Sequence, residues 1–323
     1  MATPADLPLF ERFPALRRFS RAKLGRFPSP VTPAETLAAG LWLKREDLNA
    51  EPLGGNKVRA LELLLGGVAA GDTVVTVGAA GSTHALATAI YARRLGARVQ
   101  CFRWRQEMNP VARRVAARTS EETEESRLSR TVAGAYARAF VARLRGAHWV
   151  PAGGSSPLGV LGQVNAGLEL SKQIDEGVLP HPDRIVVPLG TGGTVAGLAL
   201  GLAIGNVATE IVAVRVVPRV VANRRHVRAL ISRTARLIER ATGASMPQPG
   251  AHNVRVVHDF FGGAYGRSTA EGDRVAADCL ERTGIVVDPT YGAKALAAAV
   301  MLANERRGTT LFWLSFDGRW LAR

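Results

Sequence analysis

Apolar residues alternate along the chain between two spacings. Short apolar and β-branched runs, typical of buried strands, lie at residues 41–44, 73–77, 98–102, 148–151, 184–188, 211–217, 284–287 and 310–315. Stretches with apolar residues every three or four positions, which indicate helices, lie at residues 58–68, 85–95, 109–145, 160–173, 195–203, 222–242 and 293–306. The alternation predicts an α/β protein whose parallel strands are covered by helices on both faces.

Two segments depart from this alternation. Residues 1–40 are punctuated by prolines, and such a segment is predicted to wrap over a surface. Residues 119–126 interrupt the 109–145 helix with a cluster of glutamates, which is usually a solvated loop or a helix start. No linker-like stretch divides the chain, so two domains, if present, are interleaved in sequence.

The composition narrows the classes of protein. With 47% hydrophobic residues among 323, the chain can bury a large core. Cys101 and Cys279 form neither a disulfide framework nor a CxxC pattern, and we predict no metal. The sequence shows neither a signal peptide nor an apolar run long enough to span a bilayer, so we expect a cytoplasmic protein that does not contact membranes.

The formal net charge of +15 raises the question of nucleic-acid binding. The arginines are scattered over helical stretches such as 111–118 and 223–240, among apolar residues at helical spacing. No basic tract with interleaved aromatic residues and no zinc-finger motif is present. We therefore expect solvated, arginine-rich helix faces and no nucleic-acid partner, with a charge that steers anionic ligands.

A glycine-rich turn is the clearest local signal for a ligand. An apolar strand at 184–188 leads into Gly190, Thr191, Gly192, Gly193 and Thr194, and a helix follows. Glycines let successive backbone N–H groups point at one spot, and the helix dipole adds positive potential there. The turn lacks the Lys-Ser/Thr ending of a nucleotide-binding P-loop. It is predicted to bind phosphate, although ordinary βα turns of this composition are common.

Two further turns carry candidate chemistry. Ser82, Thr83 and His84 follow another strand, where a serine commonly caps the next helix. The alternative is that the Ser82 hydroxyl points into the crevice beyond the strand ends, where α/β sheets bind ligands. Lys57 lies between a glycine pair and a helix, with Asn56 beside it. A lysine there is normally a solvated charge, and only burial or nearby cations would make its amine a nucleophile.

These turns, in this order, carry a family resemblance. The chain resembles the D-cysteine desulfhydrase and 1-aminocyclopropane-1-carboxylate deaminase family of fold type II, tryptophan-synthase-β-like pyridoxal-phosphate enzymes. The resemblance covers most of the chain between about residues 41 and 319. The matching segments are LKRED at 43–47, GGNKVR at 54–59, GSTH at 81–84, PAGGSSPLGVLGQVNAGLEL at 151–170, IVVPLGTGGTVAGL at 185–198 and DPTYGAK at 288–294.

The resemblance implies a fold and a division of the chain. It implies an α/β fold with two open twisted, mostly parallel sheets flanked by helices, and pyridoxal 5'-phosphate bound between two domains. The larger domain would combine residues 1–70 with 164–323, and the smaller would span 71–163. A homodimer is also what the family implies.

The resemblance also assigns roles to residues. Lys57 would form the Schiff base with the cofactor and move the α-proton. Ser82 would contact the substrate carboxylate or assist proton transfer, while Tyr265 and Tyr291 match active-site tyrosines. The remaining cofactor and substrate contacts implied are Asn56, Thr83, His84, Gly190, Thr191, Gly192, Gly193, Thr194, Ser315 and Phe316.

Three departures from the family pattern concern the cofactor ring and the substrate. Gly292 stands where the family usually has Glu or Thr to partner the pyridine nitrogen, so Ser315 or Asp317 would have to make that contact. Phe316 is bulky at a position where substrates are usually chosen, and Thr83 replaces an asparagine.

The resemblance implies α,β-elimination from a small, D-cysteine-like amino acid to a keto acid, ammonia and a leaving group such as sulfide. Two alternatives stay open. One is ring opening of the 1-aminocyclopropane-1-carboxylate deaminase type. The other is a protein that keeps the fold but has lost catalysis and serves in binding or regulation.

Overall fold

The strands form two separate sheets. The structure is a computed structural model that describes residues 6–247, 253–305 and 308–322. The strands are β1 (Val31–Pro33), β2 (Leu41–Arg45), β3 (Thr73–Ala79), β4 (Arg98–Trp104), β5 (Glu125–Ser129), β6 (His148–Val150), β7 (Arg184–Leu189), β8 (Glu210–Arg215), β9 (Val254–Val257) and β10 (Thr310–Leu314).

The helices pack against these sheets. They are α1 (Pro8–Arg12), α2 (Asn56–Leu64), α3 (Thr83–Arg94), α4 (Pro110–Glu121), α5 (Val132–Leu144), α6 (Pro157–Asp175), α7 (Gly193–Ile204), α8 (Arg224–Thr242), α9 (Ala270–Thr283), α10 (Gly292–Glu305) and α11 (Arg319–Ala322). In the described part of the chain, no helix is long and apolar enough to cross a membrane.

The larger sheet has six strands in the order β1-β2-β10-β7-β8-β9. Only the β1–β2 pair is antiparallel. Every residue of β7 and β10 is buried, as expected of strands covered on both faces. The smaller sheet, with the order β5-β4-β3-β6, is wholly parallel. The predicted fold class is therefore confirmed.

Close packing of α6 on α7 fixes the start of α7. A Cβ atom on Gly197 would lie 2.2 Å from the Cβ of Gln163, and one on Gly201 would lie 2.3 Å from the carbonyl oxygen of Val164. Glycines therefore let the two helices touch backbone to backbone. Since α7 begins directly after the glycine loop, defined here as residues 190–194, α6 supports that loop.

Several predicted elements differ from the observed ones. Residues 284–287 are irregular, because the left-handed Gly284 ends α9 and the chain then turns into Asp288. The predicted 109–145 helix is two helices separated by β5, an edge strand. The pattern assigned no element to β9 or α9. Arg306, at the end of a predicted helix, and residues 1–5 lie outside the described residues.

The domain division stays a prediction. The smaller sheet is built from strands between residues 73 and 150, and the larger sheet from strands on either side of that stretch. The predicted boundary at 163/164 lies within α6, a helix that packs against both α2 and α7.

Candidate active site

One cavity of about 560 Å³ lies where the carboxyl ends of strands from both sheets meet. Its walls include residues that follow β3 and β4 of the smaller sheet and β7, β8 and β10 of the larger sheet. It is lined by every site residue that the sequence predicted: Asn56, Lys57, Ser82, Thr83, His84, Gly190, Thr191, Gly192, Gly193, Thr194, Tyr265, Tyr291, Ser315 and Phe316. The structure therefore brings together residues from six separate segments.

Lys57 enters the cavity from the first turn of α2. The preceding Gly55 has φ +132°, and a Cβ there would lie 2.7 Å from the Ser315 carbonyl oxygen, so only glycine fits. The Asn56 backbone N–H donates to that same oxygen at 3.0 Å. Burial lowers the pKa of Lys57 to about 8. Roughly a tenth of its amine is therefore neutral and nucleophilic at pH 7, far more than for a solvated lysine.

A buried ion cluster, made of Lys44, Glu46, Arg59 and Glu169, anchors α2 from behind. Arg59 donates from Nε to Glu46 at 2.6 Å and from Nη1 to Glu169 at 2.9 Å. Lys44 Nζ lies 2.6 Å from Glu169 Oε1. Two positive and two negative charges balance, and each is hydrogen-bonded, which buried charges require. Because Arg59 lies two residues after Lys57, the cluster fixes the turn that carries the lysine.

The glycine loop is held from two sides. Asn56 Nδ2 donates to Thr194 Oγ1 at 2.8 Å, which ties the start of α2 to the start of α7. The hydroxyls of Ser155 and Thr191 hydrogen-bond at 2.6 Å. Gly192 has φ +84°, a left-handed conformation that favours glycine. The loop is therefore a rigid turn positioned beside Lys57.

Of the four helices whose first residue lines the cavity, α3 and α5 have side-chain caps, whereas α2 and α7 have none among the described residues. Side chains cap α3, α4, α5, α6, α8 and α9. By contrast, α2 and α7 begin behind Gly55 and Gly192, and no described side chain caps them. The positive dipole ends of α2 and α7 thus lie at one cavity, an arrangement that suits a phosphate. The residues present therefore fit a phosphorylated cofactor with a lysine-reactive group.

The Ser82 turn combines capping with cavity lining. Ser82 Oγ accepts a hydrogen bond from the Ala85 N–H at 3.3 Å, so the capping expectation is correct. His84 Nε2 lies 3.0 Å from the Pro151 carbonyl oxygen. Burial and the nearby charge of Lys57 lower the pKa of His84 to about 3, although the Pro151 carbonyl opposes this shift. His84 is therefore neutral, and its Nδ1 has no hydrogen-bond partner among the described residues.

Tyr265 and Tyr291 form a hydroxyl pair. Their oxygens lie 2.5 Å apart and their rings meet edge to face with centroids 5.9 Å apart. Burial raises the pKa of Tyr265 to about 12 and raises that of Tyr291 well above its usual value. Both hydroxyls are therefore protonated at neutral pH. One proton is used within the pair, and the other can be donated to a bound group.

Of the two residues predicted to contact the pyridine nitrogen, Ser315 lines the cavity and Asp317 does not. The Asp317 carboxylate accepts hydrogen bonds from Arg319 and from the Gly54 N–H, and it is not among the lining residues. Gly292 is buried at the start of α10, where a Cβ would lie 2.5 Å from Val287 Cγ1. A larger residue at 292 would therefore clash unless this turn shifted.

The apolar part of the cavity wall was not predicted from the sequence. This part consists of Trp104, Val132, Tyr136, Val220 and Val221. The position of Trp104 at the carboxyl end of a strand was a usable signal, because Ser82 follows the neighbouring strand. The other four lie on α5 and in the turn after β8, and no local motif marks them.

Comparisons with known proteins agree with this geometry. The family model described as "Pyridoxal-phosphate dependent enzyme" matches residues 22–315. Nocardicin C-9' epimerase of Nocardia uniformis subsp. tsuyamanensis is 36% identical, over 91% of both chains. D-cysteine desulfhydrase of Klebsiella pneumoniae subsp. pneumoniae is 28% identical, over 90% of this chain and 91% of its own.

A solved structure described as an ACC deaminase homologue is also similar. It superposes with a TM-score of 0.78 at 28% identity, and the match covers 96% of this chain and 95% of the other. These findings confirm the resemblance inferred from the motifs and, with it, the pyridoxal-phosphate cofactor. The chain therefore belongs to the pyridoxal-phosphate dependent enzyme family.

Proposed function

We propose that this enzyme catalyses α,β-elimination from a β-substituted amino acid, of which D-cysteine is the simplest member. The products would be a keto acid, ammonia and a thiol or sulfide. The observation that carries the proposal is the placement of Lys57, with its lowered pKa, beside the glycine loop in one cavity. The named activity of the Klebsiella relative supports the choice of reaction.

The residues that would hold the cofactor follow from their chemistry. The glycine loop and the uncapped starts of α2 and α7 would bind the phosphate, Lys57 would bond to the aldehyde carbon, and Ser315 would hydrogen-bond the pyridine nitrogen. Bound pyridoxal phosphate supplies an electron sink that acidifies the α-carbon of an amino acid. A serine hydroxyl does not force the ring nitrogen to stay protonated, and this suits elimination better than reactions that need a long-lived carbanion.

The remaining side chains would move protons and orient the substrate. Lys57 would accept the α-proton on its amine. Ser82 and Thr83 would hydrogen-bond the substrate carboxylate, because both residues line the cavity next to each other. The Tyr265–Tyr291 pair donates its spare proton to the leaving group. For D-cysteine the balance is amino acid plus water to pyruvate, ammonia and hydrogen sulfide.

The test is keto-acid release from a panel of amino acids. Purified enzyme is assayed with D- and L-cysteine, 1-aminocyclopropane-1-carboxylate, serine and diaminopropionate, with the Lys57→Ala variant as control. We expect release from D-cysteine and none from the variant. Release only from 1-aminocyclopropane-1-carboxylate would replace elimination by ring opening. Release from none, despite bound cofactor, would remove elimination and ring opening and leave epimerisation and the non-catalytic alternative.

Epimerisation is a second candidate, favoured by the 36% identical relative whose name is an epimerase. Inversion at the α-carbon needs a proton acceptor and a proton donor. Lys57 and the Tyr265–Tyr291 pair supply one of each in this cavity. Chiral chromatography after incubation in deuterium oxide would detect inverted, α-deuterated substrate without keto acid.

The proposal also includes a homodimer, which rests on the family resemblance, and a cytoplasmic location, which is the expectation from the sequence. Light scattering of the purified protein measures its mass in solution, and a monomeric mass would remove the dimer from the proposal.

A further inference from the structure

The open side of the cavity is apolar on both flanks. Val132 and Tyr136 of α5 line it with Val220 and Val221 of the turn after β8. Val220 is 83% exposed, and the other three are between 37% and 49% exposed. Residues that line a cavity and yet face solvent lie at its opening. Exposed apolar groups clustered at a cavity opening commonly mark a ligand-binding surface.

Both flanks are held in place. Tyr136 stacks on Trp104 with ring centroids 6.0 Å apart and an interplanar angle of 19°. The Tyr136 ring also contacts Trp149, with centroids 6.3 Å apart and the rings tilted by 56°. Across the cavity, the backbone N–H of Val221 donates to the Pro218 carbonyl oxygen at 3.0 Å. The two flanks are therefore a fixed aromatic surface and a short aliphatic turn.

A small hydrophilic substrate would leave this surface unused. The polar groups that the proposed reaction needs, Lys57, Ser82 and the Tyr265–Tyr291 pair, line the same cavity as the apolar flanks. The cavity volume of about 560 Å³ is in the range, roughly 300–1,000 Å³, of sites that enclose ligands of drug size. A cofactor and cysteine alone do not call for an aromatic wall at the opening.

We propose that the preferred substrate carries an apolar, aryl-bearing substituent on its β-carbon, packed between Trp104–Tyr136 and Val220–Val221. The inference rests on the proposed elimination and specifies its substrate class as S-aryl or S-arylalkyl cysteines. Aromatic rings gain from stacking on fixed aromatic neighbours in addition to the area that they bury.

The reaction remains balanced for such a substrate. The α-proton passes to the Lys57 amine, the Cβ–S bond breaks, and its electron pair leaves on sulfur. The sulfur takes a proton and departs as the thiol. With S-benzyl-D-cysteine, one water is consumed, and the products are pyruvate, ammonia and benzyl thiol.

The kinetic test compares S-benzyl-D-cysteine with D-cysteine in the reconstituted enzyme. We expect kcat/KM to be at least roughly tenfold higher for the benzyl compound, a modest gain for a filled apolar pocket. The Val220→Asp variant should lower the ratio of the two kcat/KM values about tenfold. Phe140 lies one turn beyond Tyr136 on α5, is 58% exposed and does not line the cavity, so Phe140→Asp should leave that ratio unchanged.

A binding measurement separates recognition from turnover. Isothermal titration of the cofactor-loaded Lys57→Ala variant should show at least about tenfold tighter binding of S-benzyl-D-cysteine than of D-cysteine. Equal affinities, or a wild-type preference for D-cysteine, would overturn the substrate class while leaving elimination intact. Absence of keto acid from both compounds would instead defeat the proposed function. If Val220→Asp and Phe140→Asp both reduce the solution mass, the apolar surface is an interface between copies and the proposal fails.

Discussion

The buried ion cluster behind α2 allows a quantitative test of how Lys57 is held. Replacing Arg59 by Met retains an unbranched chain in place of the arginine stem but removes the guanidinium that pairs with Glu46 and Glu169. Only Lys44 would then balance two buried carboxylates. The arginine also lies over the Phe27 ring, 4.2 Å from its centroid, so the change removes a cation–π contact as well.

The expected loss follows from the cost of an uncompensated buried charge. Removing one partner of a buried ion pair destabilises a protein by about 3–5 kcal/mol. An unfolding entropy of about 2.1 cal/mol/K per residue, over 323 residues, gives about 0.7 kcal/mol/K. The Tm of Arg59→Met should therefore fall by about 4–7 °C. The Arg59→Lys variant keeps the charge but loses the bidentate geometry, and its Tm should lie between those of the wild type and Arg59→Met.

Calorimetry of the cofactor-free proteins measures this change, with Arg118→Met as the matched control. Arg118 pairs with Glu121 and Glu122 on the surface of α4, with 48% of its side chain exposed. An exposed pair contributes about 0–1 kcal/mol, so the control, which loses two such pairs, should lose no more than about 3 °C. Equal shifts in Arg59→Met and Arg118→Met would refute the role assigned to the buried ion cluster.

Three further changes test the account. Burial raises the pKa of Glu169, but the charges of Arg59 and Lys44 outweigh it and lower that pKa from 4.5 to about 2. The ionised carboxylate therefore stabilises the fold fully above pH 4.5, and this stabilisation declines as the pH falls towards 2. The free energy of unfolding in urea should fall less steeply over this pH range in Glu169→Gln than in the wild type. A Cβ on Gly153 would lie 2.1 Å from Oγ1 of Thr191, a residue of the glycine loop. The Gly153→Ala variant should therefore bind the cofactor about tenfold more weakly in equilibrium dialysis. The control Gly177→Ala has a similar positive φ but open space around it, and its cofactor affinity should not change. Loss of one hydrogen bond in Ser315→Ala should raise the cofactor Kd about fivefold by the same assay, and an unchanged Kd would contradict the assigned pyridine contact.

The central strands of the fold could be predicted because their signal is local. β7 is buried on both faces, and its sequence is a continuous apolar run. β5, by contrast, is a polar edge strand of sequence ESRLS that forms because β4 offers an unpaired edge. Its formation depends on a neighbour that is distant in sequence, and a window along the chain does not contain that information.

The candidate site likewise has one part that the sequence predicts and another part that only the folded chain shows. The glycine loop and the Lys57 segment carry their own backbone requirements, such as the positive φ of Gly55 and Gly192, and these leave glycines in the sequence. The apolar opening has no such marker. Val220 and Tyr136 are ordinary surface residues until the fold places them around one cavity. Likewise, the choice of Ser315 over Asp317 depends on the Arg319 ion pair, which only the folded chain shows.

The most direct test of the account is covalent trapping of the cofactor. Reconstituted enzyme is treated with sodium borohydride, digested and analysed by peptide mass spectrometry. We expect the reduced phosphopyridoxyl group on Lys57 of the wild type and on no lysine of the Lys57→Ala variant. Lys294 is the strongest competitor, because burial lowers its pKa to about 8 as well, but its amine donates to the Phe261 carbonyl oxygen. Label on Lys294, or on no lysine, would contradict the assignment of Lys57.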